Sequence, residues 1–341
     1  MGSTPQGISG SRAAAILGLS EFSTPVKVWL DIMEERAPGF CAAHHMEREI
    51  FEGNAATRFG LAFEDALATL AEIETGMKIN AREAFCELAP AIAGEVPVNC
   101  HADGIFEDGS LYEAKTTTAF SFRDKWGEAG SDRVPRSYAC QVQHNMMCLG
   151  ADRAILALLV FPERPETFEE MGITIAEVAG GPVLVGADGL VFDSPLGWAR
   201  VLRQMGYFKR FEIPANPALQ SMMLDAYREF WTRYVLTETP PPAETWEDVK
   251  RLLPEPRGTV VATEDQERHA TEYAQINAEI SQAKKQLDKL KVLLMGGIER
   301  GAEHPIDNDS VEALVLRDRM GKKIASYSKG KEGRLTFRCG G

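Results

Sequence analysis

The chain reads as an α/β protein: a mixed central sheet flanked by helices, followed by a C-terminal helix and a small basic β-hairpin. Three observations carry that reading. Residues 154–161 are an unbroken apolar run ended by Pro162, the length of a strand buried on both faces. Residues 98–106 and 111–116 flank Asp108-Gly109, a tight-turn pair, and so read as two strands of a hairpin. Residues near 58–74 and 136–149 carry apolar side chains at helical spacing, the flanking helices of such a sheet.

Taken in order, the chain begins with Ser9 or Ser11 as an N-cap before the alanine-rich helix start at 13–17. Phe63, Leu67, Leu70 and Ala71 form the apolar face of the helix near 58–74. Glu64 borders that face, and Asp65 reads as a solvated charge. In the hairpin, the turn brings Asp103 beside the second strand, where Glu113 and Lys115 are two apart and leave one face together. Phe120, Phe122, Arg123, Lys125 and Trp126 then interleave aromatics with cations, either to grip a terminal nucleotide or simply to cover the sheet. On the helix that follows, Gln141 shares a face with Tyr138. Gln143 is turned away from Gln141 by about half a circumference, so one of the two glutamines faces a common site.

Residues 182–192 suggest a hairpin around Ala187-Asp188, 207–213 a further strand, and 219–235 a helix stopped before Pro240-Pro241-Pro242. The resulting organisation is a core over 1–240, a linker over 241–260, and a C-terminal part over 261–341. There Tyr273, Ile276, Ile280, Ala283, Leu287, Leu290 and Leu294 follow heptad spacing, and that stripe needs either a second copy or the helix at 219–235 as partner. Beyond it, residues 315–338 hold eight cations against two acids. Lys322, Lys323, Lys329, Lys331 and Arg334 are presented there for phosphate contact, with a solvated basic tail as the competing reading.

The 341 residues carry a formal charge of −13. Such an average sets solubility and does not exclude nucleic acid, which is gripped by a local patch. Cysteines at 41, 86, 100, 140, 148 and 339 have no CxxC spacing, so neither a zinc site nor a disulfide framework is expected. His44, His45 and Glu47 do not converge as ligands. The first residues lack a charged region followed by an apolar one, and no apolar run is long enough to span a membrane; a cytoplasmic setting, in a bacterial or phage-infected cell, is expected.

The chemistry lies in Asp103, Glu113 and Lys115. Two neighbouring carboxylates repel, and a hard divalent cation is their natural counter-charge. Mg2+, with Mn2+ as substitute, would take Asp103 and Glu113 as ligands, and the Ala114 carbonyl could add another. Lys115, kept protonated, would orient an attacking water. An isolated hairpin with an incidental ion pair is the bland alternative, since such triplets are common on surface strands.

Five separate motifs weigh against it: residues 8–18 followed by Ser23-Thr24-Pro25, then Gly60-Leu61-Ala62-Phe63-Glu64, Ala102-Asp103-Gly104, Glu113-Ala114-Lys115, and residues 138–146. Their order and spacing resemble the lambda exonuclease and YqaJ-like viral recombinase family, within the PD-(D/E)XK (restriction-endonuclease-like) nuclease fold. The resemblance covers residues 8 to about 160. It implies a Mg2+-dependent 5′-to-3′ exonuclease that cuts linear double-stranded DNA and leaves 3′ single strands for recombination. It also implies two metal ions, a single-strand annealing recombinase as partner, and a homo-oligomer, a toroidal trimer. Asp103, Glu113 and Glu64 are then metal-region residues, Lys115 acts on the water, and Gln143, ahead of Gln141, is the active-site glutamine. Arg12, with Ser11 and the helix start, is assigned to a 5′-phosphate. Ala102 replaces the family's proline, and His101 stands where a small hydroxyl residue is usual near the terminal phosphate. A DNA-binding scaffold without catalysis and a structure-specific endonuclease of the same fold are the alternatives.

Overall fold

The computed structural model describes all residues except 1–6, 51–52, 54, 165, 171, 179–180, 256–257, 296–312, 318, 321, 330–334 and 340–341. It divides into two compact units, Met1–Pro256 and Arg257–Gly341.

The first unit opens with α1 (Gly10–Ile16), α2 (Pro25–Arg36), the single turn α3 (Phe40–Ala43) and the long α4 (Ala55–Thr75). It then builds β1 (Ile79–Glu87), the turn α5 (Pro90–Ala93), β2 (Asn99–Phe106) and β3 (Leu111–Thr118). α6 (Ala119–Lys125) and α7 (Arg136–Leu149) cross over to β4 (Arg153–Phe161), which runs parallel to β3. After α8 (Glu166–Glu169) a small sheet of β5 (Thr174–Val178), β6 (Gly181–Val185) and β7 (Val191–Phe192) contains the hairpin expected around 187–188. α9 (Pro195–Gln204), β8 (Phe208–Pro214), α10 (Pro217–Phe230) and α11 (Trp246–Leu252) complete the unit.

The main sheet has five strands in the order β1-β2-β3-β4-β8, antiparallel except for the β3–β4 pair. This is the mixed sheet that the sequence predicts. β4 is its buried axis. Ala154, Leu156, Leu158 and Val160 pack on the α7 face, while Ile155, Ala157 and Leu159 pack on the face covered by α4 and α9. Each large aliphatic side chain so enclosed contributes roughly 1.5–3 kcal/mol. A third cluster joins α1, α2, α7 and α10 through Trp29, Ile32, Met223, Tyr227 and Phe230.

Two differences from the sequence reading concern the C-terminal half. Within the stretch expected to be a linker, Thr245 and Asp248 form a capping box that starts α11, and the buried Asp248 also accepts a hydrogen bond from the Thr24 hydroxyl at 2.7 Å. The helix therefore belongs to the first unit. The apolar side of α10, with its π-helical continuation Trp231–Val235, is likewise committed to that core.

The second unit consists of α12 (Glu264–Met295) and an antiparallel sheet of β9 (Ala313–Arg317), β10 (Lys323–Lys329) and β11 (Leu335–Cys339), in the order β11-β10-β9. β10 and β11 form the hairpin that the sequence predicts, and β9 adds a third strand to it. Tyr273, Ile276, Ile280, Leu287 and Leu290 on α12 are exposed, as are Lys322 and Lys323. Lys331, Arg334 and the Lys329 side chain lie outside the described residues. Among the described residues, no helix is long and apolar enough to cross a membrane.

Candidate active site

The site forms where two strands part. β2 and β3 pair only at Ile105↔Leu111 and Gly104↔Tyr112, next to a turn in which Gly109 takes a φ of 86°. Past that point β3 continues in register with β4 as far as Thr118↔Phe161, while β2 follows β1. Asp103 fills the opening: its Oδ2 accepts the Ala114 N–H at 2.7 Å. Because the N–H and C=O of one residue lie on the same edge of an extended strand, the Ala114 carbonyl faces this opening too.

Glu113 is fully buried beneath α7. Its Oε1 accepts from Lys115 Nζ and from Gln141 Nε2, the latter at 2.8 Å, and its Oε2 accepts from Asn145 Nδ2 at 3.3 Å. Burial pushes the Glu113 carboxyl pKa up; Lys115 opposes the shift and Asp103 adds to it. Burial alone would lower the Lys115 pKa, but Glu113 and Asp103 outweigh it and hold the ammonium above its ordinary value. The ammonium also lies 5.3 Å from the centre of the Tyr138 ring, a cation–π contact. Lys115 therefore stays charged.

Glu64 enters from α4, on the opposite face of the sheet from α7. Its carboxyl pKa is raised by burial and then by Asp103, with Arg82 at 4.0 Å as partial compensation. Asp103 thus feels negative charge from both faces. Tyr112, whose hydroxyl is buried without a hydrogen-bond partner among the described residues, is subject to the same field.

The two glutamines separate as the helical spacing requires. Gln141 is on Glu113. Gln143, which the family resemblance ranks first, points elsewhere: its Nε2 donates to the Pro214 carbonyl at 2.8 Å, and its Oε1 accepts from the Asn216 N–H at 2.9 Å. It pins the β8–α10 corner. Asn145, four residues beyond Gln141 and so on the same helical face, is the site residue that sequence reasoning missed. α1 approaches this face closely enough that a Cβ on Gly10 would sit 2.5 Å from Asn145 Oδ1, a buried acceptor with no hydrogen-bond partner among the described residues.

Ser9, Gly10, Ser11, Arg12, Asn99, His101, Gln141 and Asn145 line a cavity of about 250 Å3 beside Glu113. It gathers the three residues assigned from sequence to a terminal phosphate. Arg12 is not a free cation there. Its Nη1 donates to the Gly7 carbonyl at 2.6 Å and to Glu35 Oε2 at 3.0 Å, and its Nη2 reaches Glu35 Oε1. Two of its five N–H groups have no acceptor among the described residues. Ser9 occupies the N-cap position of α1 without a capping bond and exchanges a hydrogen bond with the Ser11 hydroxyl at 3.1 Å. His101 is exposed and packs against Phe85. Of the two cations named from sequence on α6, Lys125 pairs with Glu21 and Arg123 is exposed.

The donors fit a hard divalent ion. An ionised carboxylate offers about four lone-pair directions, of which Glu113 uses three. The Ala114 carbonyl and the carboxylates of Asp103 and Glu64 bring only oxygen to the opening. Among the described residues, no three His, Cys, Asp or Glu side chains are already gathered as a cage. An ion here would therefore be held by a few protein oxygens together with water and substrate, as Mg2+ commonly is.

Residues 3–152 match the model of the YqaJ-like viral recombinase domain. The uncharacterized protein YqaJ of Bacillus subtilis (strain 168) is 31% identical over 157 residues, which make up 46% of this chain and 44% of that protein. More than half of each lies outside the match. Among solved structures, the alkaline exonuclease LHK-Exo of Laribacter hongkongensis is 16% identical with a TM-score of 0.43, covering 68% of this chain and 89% of that one. A phage-related exonuclease of Haemophilus somnus 129PT is 13% identical with a TM-score of 0.38, covering 68% and 96%. Residues 3–152, less than half of the chain, are thus similar to the YqaJ-like viral recombinase domain.

Proposed function

We propose that this protein is a Mg2+-dependent deoxyribonuclease that degrades linear double-stranded DNA from 5′ ends and leaves 3′ single strands for recombination. One observation carries the reading: Asp103 is inserted into the parting of β2 and β3, next to the Ala114 backbone and within the field of Glu113 and Lys115.

Asp103, Glu113, Glu64 and the Ala114 carbonyl are the groups that would hold the ion. When bound, Mg2+ would supply Lewis-acid polarisation of the phosphodiester and the counter-charge these carboxylates lack. The remaining work falls to the chain. Lys115, anchored by Glu113 and the Tyr138 ring, presents a fixed ammonium that can donate to the attacking water and neutralise charge developing on the phosphate. Gln141 and Asn145 hold the Glu113 oxygens in place. The cavity by α1 would receive the terminal phosphate through the hydroxyls of Ser9 and Ser11, His101 and the two remaining N–H groups of Arg12. Because Glu35 compensates Arg12, recognition there rests on hydrogen-bond geometry more than on net charge. In this reading a single-strand annealing recombinase takes over the 3′ strand, and a trimeric ring keeps the duplex threaded.

The test is release of nucleotides from linear duplex with and without Mg2+. Activity should need the metal, disappear in Asp103→Asn and Lys115→Ala, and spare closed circular DNA. Cutting of the circle would convert the assignment to an endonuclease. No metal-dependent release from any duplex by a folded wild-type protein would leave a binding role only.

A further inference from the structure

A cavity of about 670 Å3 in the first unit has the Tyr138 ring in its wall. Its walls are the loop 18–22, Thr117 at the end of β3, Ser121 and Lys125 of α6, and the entry to α7 from Arg133 to Tyr138. Thr117 lies two residues beyond Lys115 on the same strand face, and Tyr138 is the ring under the Lys115 ammonium. The cavity thus shares the Tyr138 ring with the candidate active site.

Its charge is unusual for this protein. Most cations of the first unit are tied to acids, such as Arg12 to Glu35, Arg48 to Asp31, Arg153 to Asp108 and Arg203 to Glu74. In the cavity wall Lys125 is matched by Glu21, whereas Arg133 and Arg136 are exposed and have no ion pair among the described residues. The Gly127 N–H donates to the Arg133 carbonyl at 2.9 Å, which closes the loop that presents this side chain. A second hollow of about 390 Å3 shares Trp126 and Arg133 with the first and adds Arg123 and Lys209, likewise without ion pairs among the described residues. At the rim Phe22 is 73% exposed, on a loop whose Phe22 and Ser23 N–H groups both donate to the Ser20 hydroxyl. Unpaired guanidinium groups alongside an exposed aromatic ring are the chemistry that receives phosphates and unstacked bases.

We propose that this cleft seats an unpaired stretch of DNA strand, with backbone phosphates on Arg133 and Arg136 and a base against Phe22. The inference rests on the nuclease reading of the adjacent site and specifies the form in which the strand lies beside it. A hollow of this size suits a nucleotide or two, and a base can meet the Phe22 face only when it has left its partner. Arg133, Arg136 and Phe22 are then binding residues that no motif marks.

The test is fluorescence anisotropy of a 5′-labelled oligo(dT) 12-mer against the full chain in EDTA, where no cutting occurs, over a range of salt. The double variant Arg133→Ala/Arg136→Ala should bind at least tenfold more weakly, and its slope of log affinity against log salt should flatten by roughly 1.4. Phe22→Ala should weaken binding about tenfold and leave the salt slope unchanged. Tryptophan fluorescence melts verify that each variant is folded. If the double variant does not fold, the comparison of Phe22→Ala with Phe22→Tyr decides, and binding retained only by Tyr supports the cleft. Equal affinity of the folded double variant and wild type, or the same loss on a blunt duplex as on oligo(dT), would overturn the proposal. Unchanged oligo(dT) binding in variants of an active enzyme sinks the cleft alone. Lost binding in variants of an inactive wild type sinks the nuclease reading and leaves the cleft standing.

Discussion

Replacing Lys115 by alanine measures how strongly the buried carboxylate and ammonium depend on each other. The Glu113 side chain is 1% exposed and that of Lys115 is 17% exposed. Without the ammonium, Glu113 keeps only the neutral amide donors of Gln141 and Asn145. Breaking a buried pair from one side costs about 3–5 kcal/mol. The deficit must vary with pH, because the stranded carboxyl can escape by taking up a proton. A carboxyl whose folded pKa is raised contributes its stability below the unfolded value and loses it as pH rises through the folded value. Burial already raises Glu113 from the ordinary 4.5, and loss of Lys115 raises it further, so the window opens upward from that value. Within it stability falls by about 1.4 kcal/mol per pH unit. All five tryptophans lie in the first unit, so urea denaturation followed by tryptophan fluorescence reports on it alone. Lys115→Ala should resemble wild type near pH 5 and approach the full deficit near pH 8, where its Tm falls by roughly 6–20 °C. Adding Glu113→Gln should remove the slope. A deficit independent of pH, or a slope that survives Glu113→Gln, refutes the coupling.

The two glutamines should part company in the same assays: Gln141→Ala loses nuclease activity with little change in melting, whereas Gln143→Ala destabilises by about 1–3 kcal/mol for each stranded group at Pro214 and Asn216. The buried His144 donates through Nε2 to the Asn99 carbonyl and accepts from the Tyr227 hydroxyl at Nδ1, and burial drops its pKa from 6.5 to about 4. Its neutral form supports the fold above pH 6.5, and roughly 3 kcal/mol should drain away as pH falls toward 4, a decline that acid titration of His144→Gln should show to be flattened. A chain truncated after residue 255 should melt like the first unit of the whole protein, while one truncated after residue 239 loses Asp248 and its bond to Thr24 and should melt lower by calorimetry.

What could be read from sequence was local. The turn at Asp108-Gly109, the apolar run of β4 and the helical faces of α4 and α7 each depend on neighbours within a dozen residues, and all are found where their patterns put them. Glu113 and Lys115 share a face for the same reason. The choice between Gln141 and Gln143 was open because periodicity fixes their angular separation but not the rotation of α7 about its axis. That rotation is set by packing of Val142 and Met146 on the sheet, which turns Gln141 inward and leaves Gln143 for the β8–α10 corner. Arg12 reads as an uncompensated charge only while Glu35, on another helix, is out of view. α11 was hidden among polar and proline-rich residues because its anchor, Asp248, is itself polar and bonds to a residue at the other end of the unit.

β1 was not foreseen either, and its omission matters most, because it opens the site. Residues 79–87 mix charged and apolar side chains, with Glu83 at a φ of 49°, and only partner strands reveal them as a strand. β1 holds the opposite edge of β2 along nearly its whole length, from Ile79↔Phe106 to Glu87↔Asn99, so β2 stays with β1 where it leaves β3. The β2–β3 ladder ends at Gly104↔Tyr112, and the Ala114 N–H, deprived of a backbone acceptor, is taken by Asp103. Hydrogen bonds to a charged acceptor contribute about 1.5–3 kcal/mol. Asp103→Ala should therefore speed amide exchange at Ala114 by roughly 10- to 150-fold, measured by NMR without metal, while Tyr112 within the ladder exchanges as before. Unchanged protection at Ala114 would mean that another acceptor fills the gap and that the carboxylate is not seated between the strands. Faster exchange at both residues would mean that the hairpin as a whole had loosened. Only the selective change ties Asp103 to the opening, where its remaining oxygen is free to meet an ion.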